Sequence, residues 1–298
     1  MTMIVLNEKE YAQDLIKNKT LGEKPFYSLT VLAKYYYNCL GYKNKQIAET
    51  LMDFMNKYYS RYECNKQSWD DNIRKIARNV RSYHMHQIDG VYITKSELDK
   101  IHSLNNGNYE KLAFTLICLA KLNNLKSGKN NGWVNTDIKT VFNMAKITCS
   151  VKDRYKKIGY LKEMGMIEFP KRNDNLNCRV TFISDNINSD EEDENVLFVS
   201  DFRELGYEYL KFKGEKFTRC GECGRLIKNN KYGNRKYCRE CTAYNSPKQK
   251  TIVCTDCGKE FVVSAYNNKT QRCEDCQRIF RSIYQKDLMR NRRDNGAC

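Results

Sequence analysis

The sequence predicts a mainly α-helical protein with a small amount of β-structure and two cysteine-rich modules near its C-terminal end. Two observations lead to this fold class. Apolar residues recur with the period of an α-helix through most of residues 26–163. Eight of the 14 cysteines form four Cys-x-x-Cys pairs, and all four pairs lie in the last third of the 298-residue chain.

An N-terminal helical domain is predicted over residues 1–106. Thr94 and Glu97 have the spacing of a capping box, so a short helix is expected to begin after Thr94. Three earlier helices are predicted because each segment places apolar residues on one face at i, i+3, i+4 and i+7 spacing: Phe26–Leu40, Asn44–Tyr59 and Trp69–Ile88.

Residues 107–188 contain the order helix, helix, helix, hairpin, which is typical of a winged-helix domain. The predicted helices are Tyr109–Asn123, Thr136–Ala145 with Asn135 as its cap, and Val151–Glu163 with Ser150 as its cap. Trp133 and Val134 are read as a short strand, and two further strands are predicted at Met166–Phe169 and Cys178–Ile183. The third helix is expected to bury Val151, Tyr155, Ile158 and Leu161.

The third of these helices is the candidate DNA-reading element, because the second helix of a helix-turn-helix lies in the major groove. Its outer side is predicted to carry Lys152, Arg154, Lys156 and Lys157, and the wing loop carries Lys171 and Arg172. The alternative is a winged helix that acts only as a protein-contact scaffold, since exposed lysines are common in either case.

The four Cys-x-x-Cys pairs have the spacing of two structural zinc sites. Fourteen residues separate the pairs of the first set and 15 separate those of the second, which is close to the usual spacing of four-cysteine zinc sites. A redox role fits poorly because a redox pair is normally single, and a catalytic role fits poorly because four sulfurs close the zinc shell. The predicted ligands are Cys220, Cys223, Cys238 and Cys241 for one ion and Cys254, Cys257, Cys273 and Cys276 for the other.

The remaining domain limits follow from these sites. An acidic linker with a connecting strand and helix is predicted at 189–217, the first zinc ribbon at 218–246 and the second at 247–298. The second ribbon ends in a basic amphipathic helix, Gln277–Arg293. Its arginines are candidate contacts for a nucleic acid or a protein partner: Arg278, Arg281, Arg290, Arg292 and Arg293.

The charge distribution favours an anionic partner. The formal net charge is +16, and residues 211–298 hold 21 Lys and Arg against 9 Asp and Glu. Such a surface attracts phosphate backbones without reading their sequence. No signal peptide or membrane span is recognised, and the scattered cysteines suit a reducing compartment, so a cytoplasmic protein is expected.

Several segments together resemble a largely uncharacterised group of phage and prophage proteins from Gram-positive bacteria. The resemblance covers most of residues 26–241, and the second ribbon looks like an addition to the group's pattern. It implies a phage-encoded cytoplasmic protein that acts on nucleic acid or on a host machine. The segments that carry it are Thr94–Ile101, Glu110–Phe114, Gly132–Asn135, Tyr207–Glu215, Cys223–Lys228 and Lys236–Cys241.

These features favour a non-enzymatic, zinc-containing protein that binds nucleic acid, with DNA favoured over RNA, in regulation or replication. The alternative is a phage accessory protein that inhibits a host defence nuclease by contacting the enzyme or its guide RNA. A nuclease is the weakest reading, because the chain has 3 histidines and no HNH-type pattern.

Overall fold

The structure is a computed structural model that describes residues 4–170, 177–184, 195–229, 235–245, 249–265 and 267–294, with the side chains at 195, 243–245 and 290–294 left out. The described residues are mainly helical, as the sequence predicts. The α-helices are α1 Glu8–Asn18, α2 Pro25–Asn38, α3 Asn44–Tyr58, α4 Lys66–Asn79, α5 Lys95–His102, α6 Gly107–Ser127, α7 Ile138–Met144, α8 Val151–Glu163, α9 Leu205–Phe212, α10 Arg239–Asn245 and α11 Glu274–Asp294.

The β-structure consists of short antiparallel sheets. The strands in the described residues are β1 Val91–Thr94, β2 Trp133–Val134, β3 Ile167–Glu168, β4 Cys178–Val180, β5 Asn195–Val199, β6 Phe217–Arg219, β7 Leu226–Lys228, β8 Gln249–Val253 and β9 Glu260–Ser264. β1 pairs with β5, β4 lies between β2 and β3, β6 pairs with β7, and β8 pairs with β9. The chain divides into two compact units, residues 1–219 with 225–234 and residues 220–224 with 235–298.

The first four helices and the turn after α4 form a core of their own within the first unit. Its fully buried side chains include Leu29, Ile47, Met55 and Ile73. A buried ion pair ties α1 to α2, because Lys34 Nζ lies 2.8 Å from Glu8 Oε1 and both side chains are shielded from solvent. The helices predicted at Phe26–Leu40 and Asn44–Tyr59 are confirmed as α2 and α3.

Helix α4 ends earlier than the sequence predicts. It stops at Asn79 and a 3₁₀ turn covers Val80–Ser82, whereas periodicity suggested a helix up to residue 88. The following residues pair with the N-terminal segment instead. The backbone N–H of His86 donates to Glu8 Oε2 at 2.9 Å, and that of Ile88 donates to the Leu6 carbonyl. These contacts between distant parts of the chain end the helix.

A second core in the first unit extends from Val91 to Tyr209, with α6 at its centre. β5 returns to pair with β1, so that Val91 faces Val199. α9 packs against α6, where Tyr209 donates from its hydroxyl to Glu110 Oε2 at 2.8 Å. α9 approaches the C-terminal end of α7 closely, and a Cβ added to Gly206 would clash with the Ala145 carbonyl oxygen.

The element order within this core is α6, β2, α7, α8, β3 and β4. α7 begins later than predicted, and its cap is Asp137 rather than Asn135, because the Asp137 carboxylate accepts from Thr140 N at 2.9 Å. Ser150 caps α8 as predicted. Gly165 has a φ of 68°, which lets the chain turn from α8 into β3.

Candidate metal centres and nucleic-acid interface

The first four-cysteine group forms from two turns that are distant in the chain. Cys220 and Cys223 lie between β6 and β7 in the sequence, and Cys238 and Cys241 flank the start of α10. The four Sγ atoms lie within 4.8 Å of one another. The Cys223 and Cys238 sulfurs are 3.7 Å apart.

The second group repeats this arrangement. Cys254 and Cys257 lie in the turn between β8 and β9, and Cys273 and Cys276 flank the start of α11. All four sulfurs again lie within 4.8 Å of one another, and those of Cys257 and Cys273 are 3.7 Å apart. The predicted ligand sets are thus brought together without exchange between the two groups.

Backbone N–H groups point at the sulfurs of both groups. The N–H of Cys238 donates to Cys220 Sγ at 3.2 Å, and the N–H of Cys273 donates to Cys254 Sγ at 3.3 Å. Burial opposes ionisation of the Cys220 thiol, but several backbone donors, the Cys238 N–H among them, outweigh it and lower its pKa to about 6. Backbone donation, from Cys273 above all, likewise lowers the pKa of Cys254 to about 6. Donors that stabilise a thiolate favour metal binding.

Both groups fit a tetrahedral metal ion. Sulfurs at ~2.3 Å from a central zinc lie ~3.8 Å from one another, and the observed separations of 3.7 Å agree with that edge length. Gly224 and Gly258, which follow the first pair of each group, have φ values of 69° and 71°. Glycine adopts this left-handed conformation without strain, and in each group it directs the chain from the cysteine pair into the next strand. The geometry can therefore hold two ions in closed four-sulfur shells.

The lysines and the arginine predicted on α8 do not all face outward. Lys152 and Lys156 are exposed, and Lys157 is half-buried with Nζ 4.9 Å from the centre of the Tyr109 ring. Arg154 turns inward, where its guanidinium lies 6.0 Å from the centre of the Phe142 ring. Its Nε is buried and has no hydrogen-bond partner among the described residues. The prediction that Arg154 lies on the outer side is corrected accordingly.

The predicted inner face of α8 is half wrong. Ile158 and Leu161 are buried, but Val151 is 60% exposed and Tyr155 is 52% exposed. Arg154, Ile158 and Leu161 are also spaced i, i+4 and i+7, and this second set faces the core instead. The helical period alone fits both sets, and the packing of α8 against α6 and β3 selects between them.

A groove of about 360 Å³ lies beside α8 and was not anticipated from the sequence. It is bounded by the start of α6, the turn between α7 and α8, and α8 itself. Lys156 and Lys157 line it together with Lys146, whose ammonium group is paired with Glu204. Asp153 also lines the groove, and its carboxylate accepts from the Ser150 hydroxyl at 2.7 Å.

The remaining predicted contact residues have different outcomes. Arg278 and Arg281 are exposed on α11, and Arg278 lies 3.4 Å from Asp275, which offsets part of its charge. Lys171 and Arg172 lie outside the described residues, as do residues 189–194 of the predicted acidic linker. The backbone of α11 includes Arg290, Arg292 and Arg293, but their side chains are not described.

The chain was compared with protein-family models, curated proteins and solved structures, and no significant match was found in any of the three. Among the described residues, no helix combines the length and the apolar character needed to cross a membrane.

Proposed function

We propose that this is a non-enzymatic, zinc-containing DNA-binding protein of phage type, which acts in regulation or replication and reads DNA through a winged helix at residues 107–184. The order α6, β2, α7, α8, β3, β4, with β4 between β2 and β3, supports the winged-helix assignment. In this assignment α8 is the recognition helix.

The observation that carries the proposal is the outer side of α8. Lys152 and Lys156 are exposed one turn apart, and in the first two turns of the helix every exposed residue is either a lysine or apolar. The one acid there, Asp153, is half-buried and held by Ser150. A helix side that lacks exposed carboxylates meets little repulsion from phosphates.

Zinc is the metal that best suits the two four-cysteine groups, because thiolate ligands in a tetrahedron favour zinc over harder cations. Four sulfurs leave no open position for a substrate or a water nucleophile, so the ions would stabilise the fold and not take part in catalysis. Elemental analysis of the purified protein should give two zinc ions per chain. One ion or none would contradict the zinc assignment.

Charge reversal on α8 tests the DNA-binding proposal. Changing Lys152 and Lys156 together to Glu should lower duplex affinity by more than roughly tenfold, because two attractive contacts become repulsive. Unfolding free energy should stay within ~0.5 kcal/mol of wild type, as is usual for exposed positions.

The matched control replaces Arg74 and Arg78 with Glu. These two arginines are also exposed and one turn apart, but they lie on α4. It alters the net charge of the protein equally. If both double variants lose affinity to the same extent, binding depends on net charge alone and α8 is not the reading helix.

A second candidate function, the binding of a host protein or nucleoprotein, is supported by α11. Its exposed apolar side chains include Ile279, Phe280, Ile283 and Tyr284, and clusters of this kind are typical of protein contacts. A tagged protein would be used to capture partners with and without nuclease treatment. Capture of a protein partner after nuclease treatment, together with loss of that partner from the Ile283→Glu variant, would favour this function over DNA binding.

A further inference from the structure

Two apolar side chains lie on the outer side of α8. Val151 is 60% exposed and Tyr155 is 52% exposed, and their spacing of four residues puts both on one side of the helix. Neighbouring exposed apolar groups often mark a contact surface. Both residues lie in the N-terminal half of α8, which is the part of a recognition helix that contacts base edges.

The surroundings of this pair indicate the chemistry of its partner. Lys152 and Lys156 are exposed, and each directly follows one member of the pair, so an anionic partner is favoured. Gly159 comes one turn after Tyr155, and a Cβ built there would meet nothing within 4 Å. This side of α8 is therefore open to the close approach of a negatively charged surface.

The exposed side of α8 lacks the side chains that pair with adenine in the major groove. Asn and Gln make those contacts, and α8 contains neither. Arginine or lysine reads guanine, but the one arginine of α8, Arg154, turns toward Phe142, and we assign the exposed Lys152 and Lys156 to phosphates. Apolar side chains read a different feature, which is the C5-methyl group of thymine.

We infer that Val151 and Tyr155 contact bases directly and recognise thymine methyl groups in the major groove of duplex DNA. Lys152 and Lys156 then bind the flanking phosphates. The inference rests on the proposed DNA-binding function and adds its ligand chemistry. Duplex RNA is excluded as the ligand, because uracil lacks the methyl group and the A-form major groove is too deep and narrow for side chains to read.

The experiment compares two duplexes of about 30 base pairs, or three helical turns. One has alternating adenine and thymine, and the other has uracil in place of every thymine. The two have the same phosphate charge and base pairing and differ in the thymine methyl groups. Burial of one methyl-sized group changes affinity by about fourfold. Wild-type protein should therefore prefer the thymine duplex by about four- to fifteenfold, for one or two methyl groups.

The variants separate base contact from phosphate contact. Changing Val151 and Tyr155 together to Ser should abolish the preference and weaken binding to the thymine duplex. Lys152→Glu should weaken binding to both duplexes and leave their ratio unchanged. Phe26→Ser is the matched control, since Phe26 is also 52% exposed but lies on α2, and it should change neither affinity.

The outcomes distinguish failure of the inference from failure of the proposed function. Measurable but equal binding of the two duplexes by wild-type protein would overturn the inference and leave DNA binding intact. A preference that survives the double serine variant, or tighter binding of a duplex RNA of the same length, would also overturn it. Binding of neither DNA duplex at low salt would overturn the proposed function, and this inference with it.

Discussion

Loss of the second metal site should unfold α11 while leaving the rest of the helices intact. The perturbation is Cys276→Ser, which removes one of four ligands. Cys273 and Cys276 flank the start of α11, and the Cys273 carbonyl accepts from Gln277 N at 2.9 Å. The metal would therefore hold the first turn of the helix, which is the turn whose formation is unfavourable in an isolated helix.

A second link connects the metal site to α11. Arg272 Nε lies 2.8 Å from the carboxylate of Asp256, which lies between Cys254 and Cys257. The guanidinium of Arg272 also lies 4.2 Å from the centre of the Phe280 ring. Movement of the cysteine turn would thus disturb the helix at its first and second turns. The exposed apolar side chains of α11 offer little compensating burial.

The size of the effect follows from the helix length. α11 has 21 residues, which is about a seventh of the described residues that lie in α-helices. Cys276→Ser, or chelation of the second ion, should lower the circular dichroism signal at 222 nm by about that fraction. A structural zinc site contributes on the order of 10 kcal/mol to folding at neutral pH, so the remaining contacts cannot replace it.

Cys241→Ser is the matched control, because Cys241 lies in α10, which has 7 residues. Its effect on the helical signal should be at most about a third as large. Hydrogen exchange would locate the change, with residues 274–289 losing protection only in Cys276→Ser and α1–α6 keeping theirs in both variants. The reasoning is refuted if Cys276→Ser keeps both the full helical signal and the protection of α11.

Three further predictions concern the first unit. Gly206→Ala should destabilise the protein by about 1–3 kcal/mol, because the added Cβ would meet the backbone at the end of α7. Gly159→Ala, at an open helical position, should instead stabilise the protein by up to about 1 kcal/mol. Urea unfolding measures both changes. Lys34→Ala should cost about 3–5 kcal/mol in the same assay, since it leaves the buried Glu8 carboxylate without its cationic partner. Burial raises the pKa of Glu110, but hydrogen bonds from an ammonium and a phenol outweigh burial and lower that pKa. The Glu110 carboxylate therefore stabilises the fold above its ordinary pKa of 4.5, and this stabilisation is lost as the pH falls through its lowered pKa in the folded protein. Glu110→Gln should flatten the fall in unfolding free energy below that pH, and an unchanged slope would contradict the assignment.

Local features of the sequence determined the two four-cysteine groups, most helices and the caps at Thr94 and Ser150. A Cys-x-x-Cys turn holds two sulfurs within a few residues, and a capping box is complete within four residues, so neither depends on distant parts of the chain. Helices α2 and α3 were equally predictable, because the apolar period within each helix marks a single buried face.

Only the tertiary structure decided which face of α8 is buried and at which residue α4 ends. The apolar and amphipathic residues of α8 allow two inner faces, and packing against α6 and β3 selects the one that contains Arg154, Ile158 and Leu161. Helix α4 stops at Asn79 because the residues after Ser82 bond to the N-terminal segment, about 80 positions away in the chain. Contacts of this kind join residues that no local pattern relates. The exposure of Val151 and Tyr155, on which the proposed reading of thymine depends, could therefore be seen only in the folded chain.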